Sequence, residues 1–205
     1  MKTKFTTIIA TVALLISTTT LTFANTKADN GAVILTDVGP INKIEASGNV
    51  EVYITNGKED GVKIYNDYYG DNARVQNEDG VLRIASYKTD ALIVIVTVTD
   101  LRAITANDNA IVKSYKGILS ALSLNIQLNN NAVAALDLNA VAANIAVNDQ
   151  AKADLSGMVE NYHLDYSKTS TVNKTYLDAY TSTEREIVQP KLILTAKGIT
   201  VNASL

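Results

Sequence analysis

A polar four-residue turn recurs at nearly constant spacing, and nothing else in the chain limits its fold as strongly. Asn107-Asp108-Asn109-Ala110 returns 22 residues later as Asn129-Asn130-Asn131-Ala132, and 19 residues after that as Asn148-Asp149-Gln150-Ala151. A weakened copy, Ser167-Lys168-Thr169-Ser170, follows after another 19. Apolar residues keep the same phase. Ile104, Ile126, Ile145 and Leu164 fall in one column, and Ala106, Leu128, Val147 and Tyr166 in the next. After the turn come Ala110, Ala132, Ala151 and Ser170, then Val112, Ala134, Ala153 and Val172. A period near twenty held in this register marks stacked repeats.

Within a repeat the apolar period is two, which is strand spacing with one face inward. Leu122, Leu124, Ile126 and Leu128 alternate with Ser123, Asn125, Gln127 and Asn129; Val141, Ala143, Ile145 and Val147 alternate with Ala142, Asn144, Ala146 and Asn148. Each unit is thus a strand, a sharp corner and a second strand. It cannot bury its apolar face alone, so units must stack through backbone hydrogen bonds about 4.8 Å apart. The expectation is an all-β fold, a parallel β-solenoid or β-helix, right-handed as parallel crossovers usually are.

The corner column Asn107, Asn129, Asn148 suits a turn, because Asn tolerates left-handed backbone. Stacked amides can also bond along the axis as a ladder. A calcium reading of these Asn and Asp residues is disfavoured, because calcium β-rolls use a Gly-rich nine-residue repeat that is absent. No metal and no cofactor are expected.

Residues 1–24 read as a secretory signal peptide: Lys2 and Lys4, an apolar centre at Val12-Ala13-Leu14-Leu15-Ile16, then Thr22-Phe23-Ala24. Cleavage is expected between Ala24 and Asn25, leaving residues 25–205 as one domain. No later segment is apolar and long enough for a transmembrane helix. The chain has no Cys, so neither a lipid-attachment thiol nor a disulfide framework is available. The net charge is −3, and loss of Lys2 and Lys4 takes it to −5. A mildly acidic surface without a basic stripe argues against nucleic acid.

Before the repeats, the chain reads as hairpins, or as irregular first coils, rather than as clean repeats. Val50, Val52 and Ile54 alternate with polar residues; Asn56-Gly57 and Glu78-Asp79-Gly80 are turns; Ala91 to Val98 feeds the first regular coil at Leu101. Tyr115 to Leu119 account for the longer 22-residue step as a corner insertion. After Val172 the register weakens at Glu184-Arg185-Glu186. A 22-residue step, Tyr166 to Val188 and Val172 to Leu194, gives a last coil over Ile187 to Ala196 and a C-terminal cap closed by Ile199 and Val201.

Ser47-Gly48-Asn49-Val50-Glu51-Val52-Tyr53-Ile54, Asp79-Gly80-Val81-Leu82-Arg83-Ile84 and Val96-Thr97-Val98-Thr99-Asp100-Leu101, followed by the corner-plus-alanine repeats, resemble the bacterial secreted head GIN domain family of auto-transporter adhesins. The similarity runs from about Ile41 to Val172. It implies a right-handed β-helix similar to pectin-lyase-like folds, without a transferred active site. The family's corners are commonly Ser-Gly rich, whereas these are Asn-rich.

Chemistry-bearing residues are few. His163 is the sole histidine and falls outward below Asn125 and Asn144; a functional histidine needs an orienting partner. Asp154, between Ala135 and Asn173, and Asp165, below Ala146, have no acidic neighbour in their columns. That argues against a carboxylate-pair hydrolase or lyase. Tyr65, Tyr68 and Tyr69 form the candidate binding surface, since exposed tyrosines stack on sugars or anchor partners. The favoured reading is that they shield the N-terminal end of a stack, because edge protection is obligatory and binding optional. The reading is an exported, non-enzymatic β-solenoid that acts as a cell-envelope adhesin or binding module. Its unknown envelope or surface ligand is a glycan or protein, met in the periplasm, on the outer surface or outside a Gram-negative cell. The alternatives are a carbohydrate-active enzyme, a polysaccharide lyase or hydrolase, on the same scaffold, and a purely structural envelope module. The first expectation is directly measurable: N-terminal sequencing or intact mass of the exported protein gives a chain starting at Asn25, and a full-length product overturns the export reading.

Overall fold

The computed structural model describes residues 32–35, 38–65, 73–187, 193–195 and 198–200. Ala24, Asn25, Tyr68 and Tyr69 lie outside the described residues. The strands are β1 (Val33–Leu35), β2 (Lys43–Gly48), β3 (Val50–Asn56), β4 (Gly61–Ile64), β5 (Ala73–Glu78), β6 (Val81–Ser86), β7 (Leu92–Val98) and β8 (Ala103–Asn107). They continue as β9 (Ile111–Ser114), β10 (Leu119–Leu128), β11 (Val133–Val147), β12 (Lys152–Ser167), β13 (Thr171–Ile187), β14 (Ile193–Thr195) and β15 (Gly198–Thr200). The described residues are all-β, without helix, and the main sheet of 13 strands curls into an open half-barrel.

The repeat period is the pairing register. Ile126 lies opposite Ile104 and Ile145, and Ile145 opposite Leu164, each through parallel strands. The column extends further than the sequence reading took it, because β2 pairs in parallel with both β8 and β6. Ile44 therefore stands on Ile104, and Leu82 on Ile44. All six side chains are buried, none more than 2% exposed. Of the two readings of this part, hairpins or irregular first coils, the second holds for β2–β3 and β6–β7, which are two further levels of the same stack.

Their order departs from chain order. β2 lies between β6 and β8, and β3 between β7 and β9. The segment 81–98 is therefore the outer level, although it follows 43–56 in sequence. That end of the sheet finishes in antiparallel strands: β5 on β6, β4 on β7, and β1 on β4. The β5–β6 hairpin turns on Asp79 and Gly80, both left-handed at φ 52° and 78°. Left-handed backbone at both central residues is what a two-residue hairpin of matching twist requires.

At the other end the 22-residue step is overturned. Tyr166 lies opposite Glu186, not Val188, and Leu164 opposite Glu184. The step is 19 at Ala153–Val172 and becomes 20 from Ser156–Tyr176 onward, with a bulge between. One inserted residue keeps β13 on the sheet at the cost of setting charged residues at the end of the apolar columns. Lys174 reaches across to Glu184 and pairs with it. β14 and β15 pair with each other, antiparallel, as a separate two-stranded sheet.

Ile145 and Asn144 separate the register from local propensity. Ile145 is 2% exposed, while Asn144 faces outward and donates to Asn125 Oδ1 at 3.1 Å. Ile145→Asp buries an unpaired charge and is expected to cost several kcal/mol or to prevent folding; Asn144→Asp is expected to cost about 0.5–1 kcal/mol. Thermal melts of the two variants decide it, and equal stability would contradict the register.

Candidate functional site

The Asn corners form as turns closed by backbone bonds. Ala110, Ala132 and Ala151 each donate an N–H to the carbonyl of Asn107, Asn129 and Asn148, at 3.1, 3.1 and 3.0 Å. The three alanines are fully buried, as an inward position with little room demands. The left-handed residue is not the first Asn of each turn but the next: Asp108, Asn130 and Asp149, at φ 60°, 59° and 55°. The first Asn instead bonds along the stack. Asn148 Nδ2 donates to Asn129 Oδ1 at 2.9 Å, Asn129 Nδ2 to Asn107 Oδ1 at 2.7 Å, and Asn107 Nδ2 to Ser47 Oγ at 3.2 Å. The amides of the column are thus engaged with one another rather than presented to a ligand.

The other sequence candidates are dispersed. Tyr65, at the end of β4, is 40% exposed, and its N–H donates to Ile93 O at 2.9 Å. His163 stands in the outward column between Asn144 and Thr183. Its Nε2 is 3.4 Å from Asp165 Oδ1. Asp165 is claimed more strongly by Arg185, whose Nε and Nη2 donate to the two carboxylate oxygens at 2.9 Å each. That bidentate partner, with His163 beside it, holds the Asp165 carboxyl below its ordinary range. Asp165 is therefore a salt-bridge anchor for the β12–β13 pair, and nothing here aims a proton at a substrate. Among the described residues no three His, Cys, Asp or Glu side chains gather as a metal site.

The face that stands out was missed by the sequence reading. The period of two places Leu122 and Val141 inward, whereas they are 77% and 40% exposed. The alternation slips by one at each level. Pairing passes from Ala121–Ala140 to Ser123–Ala142, leaving Leu122 and Val141 out of the ladder. The same gap takes Glu160, then Tyr180. The next outward column is Ser120, Asn139, Met158 and Asp178. Together these residues make a lateral face with Met158 63% and Tyr180 92% exposed. The signal was present in the sequence. Glu160-Asn161 are two polar residues in succession between Val159 and Tyr162, and the 19-residue step carries that slip back to Val141 and Leu122. Tyr162, just past the slip, turns inward and is 3% exposed; burial pushes its hydroxyl well above the usual range.

Gly157 sets the start of this face. It has φ 100°, and a Cβ there would lie 2.0 Å from Leu138 O, so only glycine lets β12 approach β11 so closely. On one side of Tyr176 an open depression of about 390 Å³ is lined by Asp137, Asp154, Ser114 and Ser156. A second, of about 720 Å³, is lined by Met158, Glu160, Asn161, Asp178 and Tyr180. A third, lined by Leu122, Val141, Met158 and Glu160, continues the second along the stack. Contiguous exposed apolar surface of this kind marks interaction sites.

A family model described as "Putative auto-transporter adhesin, head GIN domain" matches residues 40–184, well over half of the chain. No curated protein matches. Similar solved structures include a "putative adhesin" from Bacteroides fragilis, 15% identical, covering 78% of this chain and 98% of that one, with a TM-score of 0.43. Another "putative adhesin", from Parabacteroides merdae, is 10% identical over 77% of this chain and 95% of that one, TM-score 0.35. A "Putative lipid binding protein" from Parabacteroides distasonis is 10% identical over 78% and 98%, TM-score 0.38.

The corner geometry has its own test. Asn130 Nδ2 donates to Asp108 Oδ1 at 3.0 Å, and both Asn130→Gly and Asn130→Val remove that bond. Only valine adds left-handed strain, about 1–2 kcal/mol. Denaturant midpoints should rank Asn130→Val below Asn130→Gly by that margin.

Proposed function

Since the chain belongs to the head GIN domain family of auto-transporter adhesins, we propose that it is an exported, non-enzymatic binding module of a Gram-negative cell envelope, and that the lateral face is its ligand-binding surface. The observation that carries this reading is the exposed apolar strip. Leu122, Met158, Tyr176 and Tyr180 are each more than 60% exposed and gather on adjoining outward positions of β10, β12 and β13. Exposing such side chains forgoes about 1.5–3 kcal/mol each relative to burying them, a cost that a partner covering them would recover. Tyr65, at the end of β4, is a second binding candidate, grouped with Tyr68 and Tyr69 by sequence. The Asn107, Asn129, Asn148 column acts as a structural ladder that holds the corners in line.

The scaffold is a right-handed parallel β-solenoid, in which parallel pairing at 19 to 22 residues supports one coil per repeat. Residues 1–24 direct export and are removed between Ala24 and Asn25, and the mature domain works in the periplasm or outside the cell.

The carbohydrate-active alternative has one observation in its favour: Asp137 and Asp154 share a depression with Tyr176. A paired-carboxylate mechanism needs one carboxyl kept protonated by apolar surroundings. Asp154 is exposed, and its Oδ1 accepts a bond from Asn173 Nδ2 at 2.9 Å. The binding reading expects retention on glycans or envelope fractions that Tyr180→Ala reduces without changing the melting temperature, and no turnover of any envelope polysaccharide. Turnover that Asp154→Asn abolishes would overturn it in favour of the enzyme.

A further inference from the structure

Four carboxylates stand among the exposed apolar residues of the lateral face: Asp137, Asp154, Glu160 and Asp178. Every ion pair of the described residues lies elsewhere; Lys152 is exposed two residues before Asp154 on β12, whereas the cations on β13 and β9 are committed. Lys174 pairs with Glu184, and Lys113 stands 3.8 Å from Glu51 and over the Tyr53 ring. Around Glu160 and Asp178, which have no Lys or Arg as ladder neighbours, the face is therefore locally negative as well as apolar. Beside it runs a free edge: among the described residues β13 pairs only with β12. An unpaired strand presents a row of N–H and C=O groups that templates another strand. Tyr176, Asp178 and Tyr180 are exposed along the middle of that strand.

We propose that the lateral face binds an extended polypeptide segment bearing Lys or Arg, which adds to the free edge of β13 and sets its basic side chains against Asp178, Glu160 and the rings of Tyr176 and Tyr180. This deepens the binding-module reading and rests on it. Strand addition supplies main-chain bonds, and pockets beside the edge select alternate side chains. A cation over a tyrosine face is attracted by the ring, and nearby carboxylates reinforce it. The same charges disfavour the other occupants. An anionic lipid surface or acidic polysaccharide would be repelled, and a second copy docked face to face would set these carboxylates against their own counterparts. A neutral glycan would leave the charge unused.

The test is fluorescence anisotropy with a labelled peptide of alternating Lys and Thr. Its comparators are the Glu and Thr counterpart, the same Lys peptide with alternate backbone nitrogens methylated, neutral chitin oligosaccharides and phosphatidylglycerol vesicles. The full chain should bind the Lys peptide at least about tenfold more tightly than the Glu peptide, with affinity falling as salt rises. Tyr180→Ala, and separately Asp178→Asn with Glu160→Gln, should each weaken binding about tenfold at an unchanged melting temperature. Unchanged affinity in the charge variant, or equal binding of the Glu peptide, overturns the proposal. Undiminished binding of the methylated peptide overturns strand addition. If chitin oligosaccharides or vesicles bind through Tyr180 and the Lys peptide does not, the peptide assignment falls while the binding module stands. If no probe or envelope fraction depends on Tyr180, both fall.

Discussion

The structure depends on in-register parallel pairing between levels. Once Ile126 is hydrogen-bonded into the level of Ile104 and Ile145, every residue of the repeat inherits the environment of its column. A position is buried because the residues above and below it are buried. Parallel strands make this constraint stricter than a hairpin would, because a slip of one residue turns a whole column to solvent. Like therefore stands on like: isoleucine and leucine on one inward column, alanine in the cramped place after the corner, asparagine at the corner itself. The amides of Asn107, Asn129 and Asn148 pair with one another because the backbone brings them to hydrogen-bond distance.

The same constraint explains which parts of the molecule could be read from the sequence. Columns Ile104–Ile126–Ile145–Leu164 and Asn125–Asn144–His163 were legible, because periods of two and nineteen survive without knowledge of contacts. The levels of Ile44 and Leu82 were not, because nothing in linear order shows that 81–98 stacks outside 43–56. The left-handed residue was placed one position early: Asn107 and Asp108 both suit a turn, and composition does not say which bears the positive φ. At the C-terminal end, an apolar match was preferred to a charged one. The sheet instead keeps its ladder and accepts Glu184 and Glu186 in the columns of Leu164 and Tyr166. Backbone pairing along seventeen residues outweighs the apolar match of a few side chains, above all where the side chains reach water anyway.

The lateral face was missed for a related reason. A strict period of two was extended through Leu122 and Val141, where leucine and valine look like core. Their columns are governed by Glu160 and its neighbour Asn161, which cannot both be outward without a slip. The least ambiguous member of a column should set the reading of the others. A single glutamate in a stack of apolar residues is better evidence of exposure than a leucine is of burial, because burying an unpaired charge costs far more than exposing a leucine.

A stack of parallel levels has to end, and the two ends do so differently. At the N-terminal end the levels give way to antiparallel strands that hairpins can deliver, β5 on one side and β4 with β1 on the other. At the C-terminal end β13 carries an inward ion pair, Lys174 with Glu184, across the mouth of the core. Charges pointing inward at an edge strand deter another apolar level from continuing the stack. They do so only on the inner side. On the outer side, the edge keeps the exposed rings of Tyr176 and Tyr180 with the Asp178 carboxylate between them. A partner that brings its own cations meets no such penalty there. The device that stops the stack from growing thus leaves one chemically particular stretch of edge available, and selectivity for what may pair with it follows from the charges that remain.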